Sequence, residues 1–226
     1  EVKGYEQVAK KYKELVRDIT KNIIKNSEKN EMNDKQKEKL ISYKLLKKKL
    51  SLVEKIYNDN PTDKNYHNYI LVFLQIEPLF TPRASDYLKI KVAYNKSDIN
   101  DIHNFIIVSK NKIGVVLNKY KTSKFFGRIM IQFKPSEAKV IRDYLTHFNN
   151  PTVLFNYNRQ SMHKKLNKLI GVSNQFIRTI KNDYVIKSKS FQNLSVEQKK
   201  TRLITLFQHS LNEGESTYRK IDLVNN

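Results

Sequence analysis

The chain has 226 residues, with 43 Lys and Arg against 22 Asp and Glu, a net charge of +21 and a pI near 9.9. So cationic a surface repels itself until an anionic partner neutralises it, and a phosphate backbone is the commonest such partner, which makes nucleic acid the leading ligand class. With no Cys there is no disulfide, thiol nucleophile or Cys-containing zinc site, and five His leave little material for a metal centre, while 39% apolar and 11% aromatic residues suffice for a packed core.

The first residue is Glu1 rather than Met, which reads as a trimmed or processed start, and nothing there resembles a signal peptide. Over 5–24 the apolar residues Val8, Tyr12, Leu15, Val16, Ile19 and Ile23 recur at three- and four-residue steps, one face of a helix. Asn33 followed by Gln36 has the form of a capping box, and Leu40, Tyr43, Leu46, Leu50, Val53 and Tyr57 continue a helical stripe. The chain up to Tyr57 therefore reads as two basic helices, the second able to form a short coiled coil or to pack within the molecule. Its Lys44, Lys47, Lys48 and Lys49 are expected to track phosphates, with a plain solvated face as the alternative.

Asn60-Pro61 with Asp63 marks a break and a new helix, with Asn as cap and Pro at the first helical position. A domain boundary is predicted there, separating a basic helical segment, 1–60, from the main domain, 61–226. The helix runs to about Glu77, and its longest apolar run, 69–74, falls far short of the ~18 residues that a membrane span needs. Thr81-Pro82 signals another helix start immediately before Arg83. The period then changes: 104–108, 113–120 and 127–133 are rich in Ile, Val and Phe and read as three antiparallel strands. Helices are predicted over 135–148, 160–170, 173–185 and 195–208, the last opened by a Ser195/Gln198 capping box. The predicted class is mainly α with a small three-stranded antiparallel sheet.

Four segments stand out in chain order: TPRASDYL around Arg83, NKYKTSKFFGR around Lys121, SNQFIRTI around Arg178, and LFQHSLNEGESTYRK with His209 and Tyr218. Together they resemble the tyrosine recombinase (phage integrase) family. That family has an Arg with an acidic residue three later at a helix start, matched by Arg83 and Asp86. It has a Lys in the hairpin between the last two strands of a small sheet, matched by Lys121 with Lys124 as a nearby competitor. Its His-x-x-Arg is here Gln175 and Arg178, and its Gly-His-Ser turn with a later nucleophilic Tyr is here Gln208, His209, Ser210 and Tyr218.

The resemblance implies a site-specific DNA recombinase or integrase acting through a 3′-phosphotyrosine link. It implies duplex DNA as partner and a homo-oligomer on it, two protomers per site and four in strand exchange. No metal, ATP or other cofactor is expected. Cleaving a phosphodiester without metal requires a nucleophile, a cationic cradle for the non-bridging oxygens and an acid for the leaving oxygen. Tyr218 would be the nucleophile, Arg83, Arg178 and His209 the cradle, and Lys121 the acid, with Asp86 holding the Arg83 guanidinium. Gln175 carries no charge, so one cradle contact becomes a neutral hydrogen bond of about 1 kcal/mol where a charged one gives roughly two or three, and slower chemistry follows. Gln208 stands where the family has Gly. The long stretch between Arg178 and His209 predicts a loop over 187–193. A type IB topoisomerase or telomere resolvase would use the same residues. The rival from another class is a non-catalytic nucleic-acid-binding protein acting through charge. The codon signature of so many Lys, Asn, Ile and Tyr points to a virus, mobile element or AT-rich microbe, and the expected location is wherever the target DNA lies inside the cell.

Overall fold

The computed structural model describes residues 5–28, 40–88 and 90–208. Helix α1 (Tyr5–Glu28) is followed by α2 (Tyr43–Asp59), α3 (Asp63–Ile76) and a single turn, α4 (Ala84–Tyr87). Strands β1 (Ile90–Ala93), β2 (Asn104–Val108) and β3 (Ile113–Leu117), the one-turn α5 (Ser123–Phe126) and β4 (Ile129–Gln132) come next. Then follow α6 (Pro135–His147), α7 (Arg159–Ile170), α8 (Asn174–Lys187), the one-turn α9 (Lys189–Gln192) and α10 (Val196–Phe207).

Local capping sets the helix starts, and in two places it differs from expectation. Helix α2 opens at Tyr43 because the Ser42 hydroxyl accepts the Leu45 N–H, so Leu40 packs from the segment before it, and the Asn33/Gln36 box lies outside the described residues. Helix α3 is capped by Thr62, which accepts the Asn65 N–H at 3.3 Å. Asn60 instead closes α2, donating its N–H to Ile56 O, and Pro61 lies in the link, where it holds Asn60 out of the helical region. The Ser195/Gln198 capping box of α10 is present as expected. Within the stretch expected as a loop over 187–193, α9 forms one turn.

Leu46, Leu50 and Val53 of α2 are buried in the same core as α3, and Tyr57 stacks on Tyr66 and Tyr69 at 4.4 and 6.0 Å. The expected domain boundary near Asn60 thus falls between two helices of one core. The stripe of α1 behaves differently: Tyr5, Val8, Tyr12, Leu15, Val16 and Ile19 are 44 to 68% exposed. On α2, Leu45, Leu52 and Ile56 also face solvent.

The sheet has four strands in the order β1-β2-β3-β4. The three expected strands pair antiparallel, with Val115 opposite Ile106 and Ile131. Strand β1 was not expected, and it pairs parallel to β2, Ile90 beside Asn104, so the sheet is mixed rather than three-stranded and antiparallel. One 3-10 turn, Lys96–Asp98, serves as the connection where a parallel pair ordinarily needs a helical crossover. Ile106, Val115 and Leu117 share the main core with Ile141 and Tyr144 of α6, Met162 and Leu166 of α7, and Ile177 of α8. A second cluster, Val185, Ile186, Phe191, Leu203 and Phe207, seats α10 on α8 and fixes where the chain emerges at Gln208.

Candidate active site

The site is organised around an arginine in the interior. Arg178, on the second turn of α8, is 1% exposed. A guanidinium that deep must be surrounded by acceptors. Its Nη1 donates to Thr81 O at 2.6 Å and to Gln208 Oε1 at 3.1 Å, and its Nη2 donates to Phe207 O. The last acceptor is an end carbonyl of α10, where the helix dipole favours a cation. Thr81 N–H adds a main-chain bond to Leu206 O at 3.0 Å, tying the Arg83 loop to the same helix end. Asn174, at the head of α8, donates to Pro82 O at 3.3 Å and to Gln75 Oε1.

Gln208 terminates α10 in the left-handed region, φ 56° and ψ 43°, and is buried. Its carbonyl accepts the Thr122 hydroxyl at 2.9 Å, so the Lys121 segment joins at the same residue. Its Nε2 donates to Leu206 O at 3.2 Å. The segments around Arg83, Lys121 and Arg178, and the start of the one that holds His209 and Tyr218, therefore meet at Gln208. His209 and Tyr218 themselves lie outside the described residues.

Arg83 is half-buried, and its Nη1 is fully buried without an acceptor among the described residues. The contact seen with Asp86 runs through the main chain: Asp86 Oδ2 accepts the Arg83 N–H at 3.1 Å and caps α4. Asp86 was expected to hold the guanidinium; the bond it makes to Arg83 fixes the backbone instead. Tyr120 sits beside both, since burial and Asp86 raise its hydroxyl pKa while Arg83 opposes the rise. That hydroxyl donates to Gly127 O at 2.7 Å.

Lys121 and Lys124 are exposed on the connection between β3 and β4, Lys121 in a turn and Lys124 within α5 rather than on a plain hairpin tip. Asn104 braces its base, accepting the N–H groups of Asn118 and Lys119 at 2.9 Å each and donating to Lys119 O at 2.8 Å. Gln175 is exposed in the first turn of α8, one turn before buried Arg178. The lysines of α2 do not form one open face. Lys47 pairs with Glu77, Lys49 reaches over Gly171 at the end of α7, and Lys48 faces solvent.

Several supporting residues escaped sequence reading. Thr81 acts through its main chain, Thr122 through its hydroxyl and Asn174 through its amide, and Gln208, noted in the sequence only as a departure from Gly, acts through both its amide and its carbonyl. Lys181 is fully buried one turn after Arg178, donating to Gln75 O at 2.9 Å and to Pro78 O, with its pKa pulled far down by burial. It closes the end of α3 and fixes the approach to Arg83. Its spacing from Ile177 and Arg178, on one helix face, was the signal available. Among the described residues, no group of His, Asp and Glu is arranged to hold a metal ion and no helix is long and apolar enough to cross a membrane. Comparison with known proteins adds no relative: no family model, curated sequence or solved structure matches the chain.

Proposed function

We propose that the chain is a tyrosine-type DNA strand transferase, a site-specific recombinase or integrase working without metal or ATP. The observation that supports it most is the convergence of the four segments on Gln208, through Arg178 to Thr81, Phe207 and Gln208 and through Thr122 to Gln208. Segments far apart in sequence are joined there by hydrogen bonds. The buried Nη1 of Arg83, without an acceptor among the described residues, is suited to receive an anionic oxygen.

In this reading the Tyr218 oxygen attacks phosphorus, the bond from phosphorus to the 5′ oxygen breaks, and Lys121 gives the leaving oxygen its proton. Arg83 and His209 hold the non-bridging oxygens, and the phenol proton passes to water. A phenol of pKa ~10 is ionised about once in a thousand at pH 7, so the cradle must favour its oxyanion in the transition state. A 5′ hydroxyl then attacks the phosphotyrosine and regenerates the phenol. Arg178 serves chiefly as the clamp that joins the segments. Duplex DNA is the partner, bound by a homo-oligomer, and a topoisomerase or telomere resolvase would differ in assembly rather than in these residues.

One observation favours the non-catalytic alternative: Arg178 faces protein oxygens and is closed to solvent. Relaxation of a supercoiled plasmid pool in EDTA separates the two readings. The strand-transferase reading predicts relaxation or nicking by the wild type, abolished in Tyr218→Phe and reduced at least about a hundredfold in Arg83→Ala, with DNA binding retained by both variants. Identical behaviour of wild type and Tyr218→Phe would leave only binding through charge.

A further inference from the structure

The connection between β3 and β4 holds three aromatic rings, and they are used in two ways. Tyr120 is buried and bonded to Gly127 O, and Phe126 packs on the main core. Phe125, between Lys124 and Phe126, is 83% exposed, the most exposed large apolar side chain among the described residues. A single exposed apolar residue is ordinary on a protein surface. What sets Phe125 apart is its mounting. Its own N–H donates to Thr122 O at 3.0 Å, Gly127 N–H closes the turn on Ser123 O at 2.9 Å, and Gly127 takes the positive φ of 65° that the exit requires. The base is braced by Asn104 and the near end is tied to Gln208 by Thr122, so the backbone that carries the exposed ring is held at both points.

Its surroundings are cationic. Lys121, Lys124 and Arg128 are all exposed, and among the described residues Arg128 makes one long ion-pair contact, 3.7 Å, with Asp101. An apolar ring in a cationic collar suits a polyanion whose interior is flat and apolar, which is the base stack of a duplex. Proteins that insert Phe or Leu between base pairs use this combination, offsetting the cost of unstacking with contacts to the backbone on either side.

Resting on the strand-transferase reading, we propose that Phe125 is a wedge that enters the base stack beside the phosphate held by Arg83, and so makes cleavage selective for steps that unstack easily. Pyrimidine–purine steps yield most readily, and they are the sites it would select. Lys121 and Lys124 would hold the backbone while the ring displaces a base, and the tie through Thr122 fixes the wedge relative to the cradle.

The test compares a fully paired duplex with the same duplex carrying a central mismatch next to 2-aminopurine, titrated with wild type, Phe125→Ala and Phe125→Trp. A mismatch has already lost the stacking that the wedge must break, so the wild type is expected to prefer it about tenfold and to change the 2-aminopurine fluorescence on binding. Phe125→Ala should lose the preference and the fluorescence change while keeping its salt dependence, and Phe125→Trp should keep both. Wild-type behaviour from Phe125→Ala, or wild-type binding with neither preference nor fluorescence change, would overturn the wedge and leave the DNA reading standing. Failure of the wild type to bind either duplex would remove the DNA reading itself and the wedge with it.

Discussion

Gln208 has two opposing demands on it. Its left-handed backbone costs a non-glycine residue about 1 to 2 kcal/mol, whereas its side chain accepts a bond from a buried guanidinium, a contact of about 1.5 to 3 kcal/mol. The second effect is the larger, so Gln208→Gly is expected to lower stability by about 1 kcal/mol despite relieving the backbone, measured as a lower midpoint in urea. A more stable Gly variant would mean that the Arg178 contact is dispensable. The residue scale also divides what the sequence could tell from what it could not. Arg83 and Arg178 stood out in the sequence because a guanidinium offers a fork of donors that few other side chains supply. Thr81, whose carbonyl receives Arg178, was not, because a carbonyl belongs to every residue. The burial of Arg178 was equally hidden, since a motif records which charge is present and not which oxygens surround it.

At the scale of elements, α1 and α2 separate. The α2 stripe was legible as helix, and the structure adds that Leu46, Leu50 and Val53 belong to the main core, while no described side chain of α1 is buried. Removing residues 1–28 is therefore expected to leave the thermal midpoint within about a degree or two, whereas Leu46→Ala should cost about 2 to 5 kcal/mol through the cavity it opens. A large loss of stability on removing α1 would mean that it covers the outer stripe of Leu45, Leu52 and Ile56. Strands β2, β3 and β4 were legible from their Ile and Val content. Strand β1 was not: its four residues, Ile-Lys-Val-Ala, are too few to display alternation, and its parallel pairing without a helical crossover departs from the usual connection. The Ser42 cap that opens α2 at Tyr43 was not read from the sequence, because the apolar stripe runs on through Leu40 and hides the break.

Across the whole molecule the charge is +21, and one histidine is expected to make stability sensitive to acid. His67 is half-buried, with Nδ1 2.6 Å from Tyr144 Oη and its ring stacked on Phe148 at 4.2 Å. Burial and the nearby Lys165 lower its pKa below the ordinary 6.5, with Asp63 opposing the shift and His147 adding to it. Below pH 6.5 the unfolded chain therefore takes up a proton that the native state refuses, so this contribution is complete above pH 6.5 and is lost as the pH falls toward the native pKa. The thermal midpoint is expected to drop between about pH 7.5 and about pH 5.5, and to drop less in His67→Gln. Equal drops in both proteins would place the acid sensitivity elsewhere.

The central claim is that these segments form one strand-transfer site with Tyr218 as nucleophile, and covalent capture tests it most directly. The protein is incubated in EDTA with a pool of duplexes, each carrying one 5′-bridging phosphorothiolate, whose thiolate leaves without needing an acid and cannot readily reverse the cleavage. The account predicts a protein–DNA band that survives denaturation, with the adduct mapping to Tyr218, absent from Tyr218→Phe and still formed by Lys121→Ala. No band from the wild type while it binds the same duplexes, or a band that persists in Tyr218→Phe, would contradict it.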